Sequence, residues 1–410
     1  VSETLDGPLP AAAAIAAPVD DGARHPATGR PAGRAEIAVL MAASTMPILG
    51  AVLLSPVLPT LQRAFAGTPG VDALAPLVLT APALMIALLA PFAGRVVDAV
   101  GRKRLLVGAL AVYAVVGTAP VFLDSLPAIL ATRIGVGITE AAIMTCCTTL
   151  LADYSAGARR AKLFGLQTIV TTLAATVFFG LGGALGSSDW RTPFWLYLVG
   201  LPLAALAARL LWTPTAPVRT GTDSALPPLP WRPMLLPLGV TLVGGVVFYT
   251  PIVELSFVLD GLGVTETAAI GGFAALASLA TAAGAASFPR FVARGPRFLL
   301  PAAFGLAGLG LLVMGLAPVV PIAVLGAVIA SAGTGLMLPS LLTWVVSQLS
   351  FAERGRGTGR WTAALFLGEF LCPLLVIALS GALSGIGVAV AVVGALAVLL
   401  AVVVRQLRLA

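Results

Sequence analysis

Three carboxylates lie inside long apolar runs where no loop can claim them: Glu140 in ITEAAIM, Glu254 in PIVELSF and Glu369 in FLGEFLC. An acid at membrane depth is costly, and it is kept where it carries a proton, faces a cation or lines a polar path. One arginine, Arg133, also lies within an apolar run, about two helical turns before Glu140. Its insertion costs about 2.5–3.5 kcal/mol unless the side chain snorkels outward. Competition among proton, substrate and Arg133 for Glu140 would couple two fluxes; the bland alternative is that these acids only hold helices together. The single histidine, His25, lies near the amino end, so carboxylates are the available proton carriers.

Other chemistries lack their residues. Cys146, Cys147 and Cys372 fall inside apolar runs without paired spacing, and read as packing residues rather than metal ligands or disulfides. No His/Asp/Glu cluster suggests an enzyme, no G-x-x-x-x-G-K-[ST] cradles a nucleotide, and no cofactor is implied. Tyr249, Phe248, Trp344 and Phe366 are candidate walls for an amphipathic substrate, or alternatively face lipid.

The elements that must position these groups are membrane helices. The chain of 410 residues is 59% hydrophobic and 10% charged, with mean hydropathy +1.04. Apolar runs of about 20 residues or more recur without strict alternation, which predicts helices rather than barrel strands. Twelve spans are predicted, over 35–61, 72–94, 102–122, 126–152, 160–184, 191–212, 232–259, 265–290, 296–317, 320–348, 358–380 and 383–404. Residues 1–34, rich in Pro, Ala, Gly and Asp, read as a disordered tail, and 213–230 as a linker between six-span units at 35–212 and 231–410.

Alternate loops differ sharply in charge. All of the 24 Lys and Arg residues except Arg63, Arg133 and Arg191 fall on one side, whereas Asp72, Asp124, Asp189, Asp260 and Glu266 fall on the other. By the positive-inside bias the cation-rich side, with both termini and the linker, is expected to be cytoplasmic. Cations spread one short loop at a time do not make a nucleic-acid surface.

The halves also repeat. Met46-Pro47-Ile48-Leu49 answers Thr250-Pro251-Ile252-Val253, the turn at Gly101-Arg102 answers Gly295-Pro296-Arg297, and Arg159 answers Arg354. Two copies of a six-span unit are transporter architecture.

GRVVDAVGRKR, residues 94–104, resembles the loop between spans 2 and 3 of the major facilitator superfamily, with Gly94, Asp98, Gly101, Arg102, Lys103 and Arg104 matching its G-x-x-x-D-x-x-G-R-[KR]-[KR] pattern. Arg133-Ile134-Gly135-Val136-Gly137 resembles the family's R-x-x-x-G motif, associated with proton coupling. Phe178-Phe179-Gly180-Leu181-Gly182-Gly183 is similar to the antiporter pattern G-P-x-x-G-G, with Phe178-Phe179 in place of Gly-Pro. Residues 335–344, 353–359 and 366–373 resemble spans 10 and 11 of bacterial drug and sugar exporters, and the likeness covers about 35–410.

The resemblance implies an all-α membrane protein of two pseudo-symmetric six-helix bundles. It also implies a breakable latch, in which Asp98 faces the start of span 11 near Gly357–Arg360 and Arg102 pairs with Asp153. Spans 1, 4, 7 and 10 would line the cavity, so Glu140 and Glu254 would face the substrate path with Glu369 adjoining. The expected activity is proton-coupled export of small organic molecules by a monomer in the cytoplasmic membrane. Uptake by symport or facilitated diffusion is the second reading, and a non-transporting sensor the third.

Overall fold

In a bilayer every backbone N–H and C=O must find its partner within the protein, and apolar segments of this length achieve that as helices. The computed structural model describes residues 22–213, 229–350, 353–383 and 385–406, without the side chain of Asp98. Among these residues there are twelve helices fit to span a membrane. They are span 1 Arg34–Ala64, span 2 Val71–Leu89, span 3 Arg102–Phe122, span 4 Leu126–Asp153, span 5 Gly157–Gly186, span 6 Thr192–Leu210, span 7 Trp231–Gly261, span 8 Thr267–Arg294, span 9 Pro296–Gly315, span 10 Val320–Ser347, span 11 Arg354–Leu383 and span 12 Ile386–Gln406. The first six and the last six form two bundles.

The boundaries depart from the sequence reading in three places. Span 2 stops at Leu89, and a separate helix, Ala93–Val100, carries Gly94 and the Asp98 backbone. Gly101, at φ +91°, ends that helix and opens span 3; Gly295, at φ +74°, opens span 9 in the same way. Both lie in the left-handed half of backbone space that a side chain would strain, so the repeat between Gly101 and Gly295 extends to the backbone.

The second departure is span 1, which is broken into Arg34–Ala43, Met46–Val52, a 3₁₀ turn at Ser55–Val57 and Leu58–Ala64. Pro47, Pro56 and Pro59 each sit in the first turn of a segment, where the missing N–H costs nothing. Ser44 and Thr45 donate to Leu40 O and Ala42 O, each at 2.7 Å, at the first break. Span 7, although it contains Pro237 and Pro251, continues as one helix.

The third concerns the amino-terminal stretch. Residues 22–33, read as part of a disordered tail, follow a defined path against the N-terminal bundle. Ala23 N donates to Asp153 O at 2.8 Å, the His25 ring meets Trp212 edge-on, and Arg159 Nη2 donates to Ala32 O at 2.6 Å. Residues 1–21, 214–228 and 407–410, which include most of the expected tail and linker, lie outside the described residues.

The bundles meet chiefly through spans 5 and 8, spans 2 and 11, and the second half of span 1 with span 7. Polar ties between them cluster toward the cation-poor face. Tyr249 OH donates to Ala51 O at 2.7 Å, Ser55 donates to Ile252 O, Thr267 donates to Gly183 O at 3.0 Å, and Arg63 Nη1 stands 2.6 Å from Asp260 Oδ1. Thr176 and Ser278 hydrogen-bond deeper between spans 5 and 8. A Cβ at Gly183 would stand 2.8 Å from Gly271 Cα, so these helices touch backbone to backbone, as small residues permit in membranes.

Candidate functional site

Span 4 presents Arg133 and Glu140 to the interior. Arg133 is fully buried, which removes the outward-snorkelling alternative. Its Nη2 donates to Tyr197 OH at 2.8 Å, and its guanidinium lies over the Tyr197 ring at 4.8 Å and the Phe194 ring at 5.7 Å, both on span 6. A desolvated cation over two aromatic faces gains about 2 kcal/mol or more from such contacts. Nε and Nη1 have no hydrogen-bond partner, and no carboxylate forms an ion pair with Arg133 among the described residues. The cation is held by π faces and one hydroxyl, with donors to spare.

Glu140 is buried, within electrostatic reach of Arg133 and Glu369, and its Oε1 has no hydrogen-bond partner. The carboxyl presses against span 1 at Gly50, where a Cβ would stand 1.8 Å from Oε1. Tyr113 on span 3 packs against Tyr197, with ring centroids 5.0 Å apart, and donates to Met46 O at 2.6 Å. The broken span 1 thus lies over Glu140 and supplies acceptors at Met46 and Ala51 to tyrosines from both bundles.

The C-terminal bundle faces this cluster with span 7 and span 11. Tyr249 is within electrostatic reach of Glu369, Glu140 and Cys372, and its hydroxyl ends on span 1. Glu369 and Glu254 are both buried, without a hydrogen bond or ion pair among the described residues. Cys372 lies within electrostatic reach of both acids and 3.5 Å from Thr250 Oγ1. Arg133, Glu140, Tyr249 and Glu369 therefore form one polar zone across the bundle interface, with Glu254 beside it on span 7. No group of three or more His, Cys, Asp or Glu is placed to hold a metal among the described residues.

Trp344, a candidate wall of the substrate cavity, lies on span 10. It is buried in its own bundle, beside a small cavity bounded by Pro296, Leu299, Ser340 and Ser347 near the cation-rich end. Phe248 is partly buried and packs on the core.

At the cation-rich end Arg102 Nη1 stands 2.8 Å from Asp153 Oδ2, joining the start of span 3 to the end of span 4. The start of span 11 reaches the end of span 2, where a Cβ at Gly359 would stand 3.2 Å from Ala90 O. Arg360 stacks on Trp231 at 4.2 Å. The Asp98 side chain lies outside the described residues, so its expected partner is not seen. Gly94 is exposed, and no atom lies near a would-be Cβ at either Gly94 or Gly101.

Sequence reading marked Gly50 only as an interruption of span 1 and missed its contact with Glu140, as it missed Tyr113, Tyr197 and the pair Arg63–Asp260. For the pair a signal existed: two opposite charges, isolated on the cation-poor side, at the ends of the repeat-related spans 1 and 7. For Gly50 and the tyrosines there was none, because their roles depend on which helix faces which.

Residues 40–294 match the family model of the Major Facilitator Superfamily. The quinolone resistance protein NorA of Staphylococcus aureus is 25% identical over 220 residues, 53% of each chain. The 3-(3-hydroxy-phenyl)propionate transporter of Escherichia coli K12 is 26% identical over 136 residues, covering 33% of this chain and 34% of that protein. The chain thus spans about half or less of the length of these curated relatives. The crystal structure of a D-xylose-proton symporter superposes with a TM-score of 0.74 at 15% identity, over 91% of this chain and 97% of that one. With twelve spans in two bundles, a polar zone where they meet and a family match over most of its length, this chain belongs to the major facilitator superfamily of transporters, and is not an enzyme.

Proposed function

We propose that the chain exports small organic molecules across the cytoplasmic membrane by proton antiport, with the two bundles rocking about a midplane site. The observation that carries this reading is the set of buried acids at the bundle interface, Glu140 under span 1 and Glu369 across from it, with Arg133 in reach of Glu140. Such acids must exchange protons with water as the cleft opens to alternate sides, and Arg133 competes with both proton and substrate for Glu140. Glu254 joins them as a proton-coupling acid, and Tyr249 with Glu140 and Glu254 contacts the substrate. Likeness to NorA supports a drug-like or metabolite cargo.

The cation-rich face is cytoplasmic in this reading, with both termini there and the transporter acting as a monomer. The ties at Ala51, Ile252, Gly183 and Asp260 hold the outer face closed. Gly94, Asp98, Gly101, Arg102 and Asp153 form the cytoplasmic latch, which closes when those ties open. The 34-residue amino-terminal region, the linker over 213–230 and the bundles at 35–212 and 231–410 are the proposed domain organisation.

Uptake by symport is the second reading, favoured by Phe178-Phe179 in place of Gly-Pro and by the partial likeness to a hydroxyphenylpropionate transporter. Transport of a compound panel into inverted vesicles, with and without a protonophore, separates them. Accumulation abolished by the protonophore supports export by antiport; accumulation only in right-side-out vesicles overturns it in favour of uptake.

A further inference from the structure

Between the first turns of span 1 and span 5, at the cation-rich end, runs a groove that the polar zone does not use. Its walls are Ile37 and Met41 from span 1 and Leu163 and Leu166 from span 5, and its mouth carries Arg34 and Arg159. Arg159 is anchored by its bond to Ala32 O, which folds residues 22–33 over one end of the groove. Arg34 is exposed and makes no hydrogen bond or ion pair among the described residues. The nearby carboxylate, Glu36, is turned back to accept from Gly33 N at 3.0 Å.

Depth and charge together say what fits. Arg34 and Arg159 begin their spans, so they stand at the level of lipid headgroups, while Leu163 and Leu166 lie about 6 and 10 Å deeper by helical rise. Leu166 also begins an exposed stripe with Ile169, Leu173 and Val177 on span 5, a face suited to acyl chains. A soluble anion would use the two guanidinium groups and leave the apolar walls bare. A zwitterionic lipid would use the walls and set its own cation against Arg34.

We propose that this groove is a binding site for a phospholipid of net negative headgroup, with the phosphate between Arg34 and Arg159 and an acyl chain along Ile37, Met41, Leu163 and Leu166. Basic pockets between membrane helices select anionic headgroups in this way. The bound lipid would join span 1, whose broken middle covers Glu140, to span 5, whose far end packs on span 8. The site stands independently of the direction and coupling of transport.

The test is native mass spectrometry of the delipidated full chain titrated with phosphatidylglycerol or phosphatidylcholine of matched acyl chains. Two cations at headgroup level predict a preference of roughly tenfold or more for the anionic lipid. Arg34→Gln/Arg159→Gln should reduce it to parity, whereas Arg297→Gln/Arg405→Gln, with the same charge removed from that face, should keep it. Ala38→Phe, which fills the groove and leaves both arginines, should also lose the tight lipid. Thermal unfolding in phosphatidylcholine checks folding; if the double variant is destabilised, Arg34→Gln alone, which loses no internal partner, takes its place. No preference in the wild-type chain, a preference surviving these variants, or displacement of the lipid by equimolar glycerol phosphate would overturn the proposal.

Discussion

Gly50→Ala is the sharpest probe of the polar zone, because it adds one methyl group and no charge. The new Cβ would stand 1.8 Å from Glu140 Oε1, against a contact distance of about 3.5 Å, so the carboxyl must leave its place. Backbone and prolines hem in span 1 there, and Glu140 is the flexible partner. Moving it into a packed interior costs about 1–3 kcal/mol from overpacking, including strain of an off-rotamer side chain. The expected result is a chain that inserts and folds, with transport reduced roughly tenfold or more, since about 1.4 kcal/mol corresponds to tenfold. The assay is a double-mutant cycle with Glu140→Ala, reading proton-driven uptake into inverted vesicles and thermal unfolding. In the Glu140→Ala background the three atoms nearest the new methyl group are gone, so Gly50→Ala should cost little further in either readout. Wild-type transport by Gly50→Ala, or an equal unfolding penalty in both backgrounds, would refute the argument that Gly50 acts by seating Glu140.

Asp260→Asn removes the charge pairing with Arg63 across the cation-poor face; for a partly exposed pair worth about 0.2–1 kcal/mol, the balance between outward-open and closed forms should shift about 1.4- to fivefold, read as labelling of cysteines placed behind the pair. Arg133→Lys keeps the charge but loses the planar stacking and the Tyr197 bond geometry, so pH-driven transport should fall nearly as far as in Arg133→Gln, and a rescued rate would contradict the aromatic cradle. Glu140→Gln, Glu254→Gln and Glu369→Gln should each be measured for pH-gradient-driven transport and for substrate exchange without a gradient; an acid that carries the proton loses the first and keeps the second, and persisting drive clears that residue of the role. Asp98→Asn should slow transport strongly while leaving abundance near wild type, and full-rate transport would remove the acid from the latch.

Much of the fold was legible because bilayer physics leaves few choices. Apolar runs had to be helices, loop charge had to alternate, and the repeat of Gly101-Arg102 at Gly295-Pro296-Arg297 carried through to matching positive φ values. The end of span 2 was not legible, because Ala90-Pro91-Phe92-Ala93-Gly94, leading into the separate helix Ala93–Val100, is apolar enough to continue a span. What sets that helix apart is an amphipathic pattern suited to a helix lying at the interface. The path of residues 22–33 was illegible for a different reason. Composition speaks of a segment's own core, and this one has none; it borrows Trp212, Asp153 and Arg159 from the bundle.

The site divides along the same line. Arg133, Glu140, Glu254 and Glu369 could be found because a charge in an apolar run stands out by its cost, whatever it touches. Their surroundings could not, because contact between helices depends on rotation and on breaks. Pro47 and Pro251 show this most directly, occupying matching places in the repeat, one on a fractured helix and one within a continuous helix. The two also differ in neighbours: span 1 has Pro56 and Pro59 further on, each starting a new segment, whereas span 7 has no proline after Pro251. Pseudo-symmetry therefore ends where the polar zone begins. The broken helix offers the carbonyls of Met46 and Ala51 to Tyr113 and Tyr249 and brings Gly50 over Glu140, and the intact one carries Tyr249 and Glu254 at fixed register. A rigid helix set against a jointed one gives the interface unequal sides, and in the proposed cycle protonation of an acid under the jointed helix would move span 1 while span 7 keeps its shape.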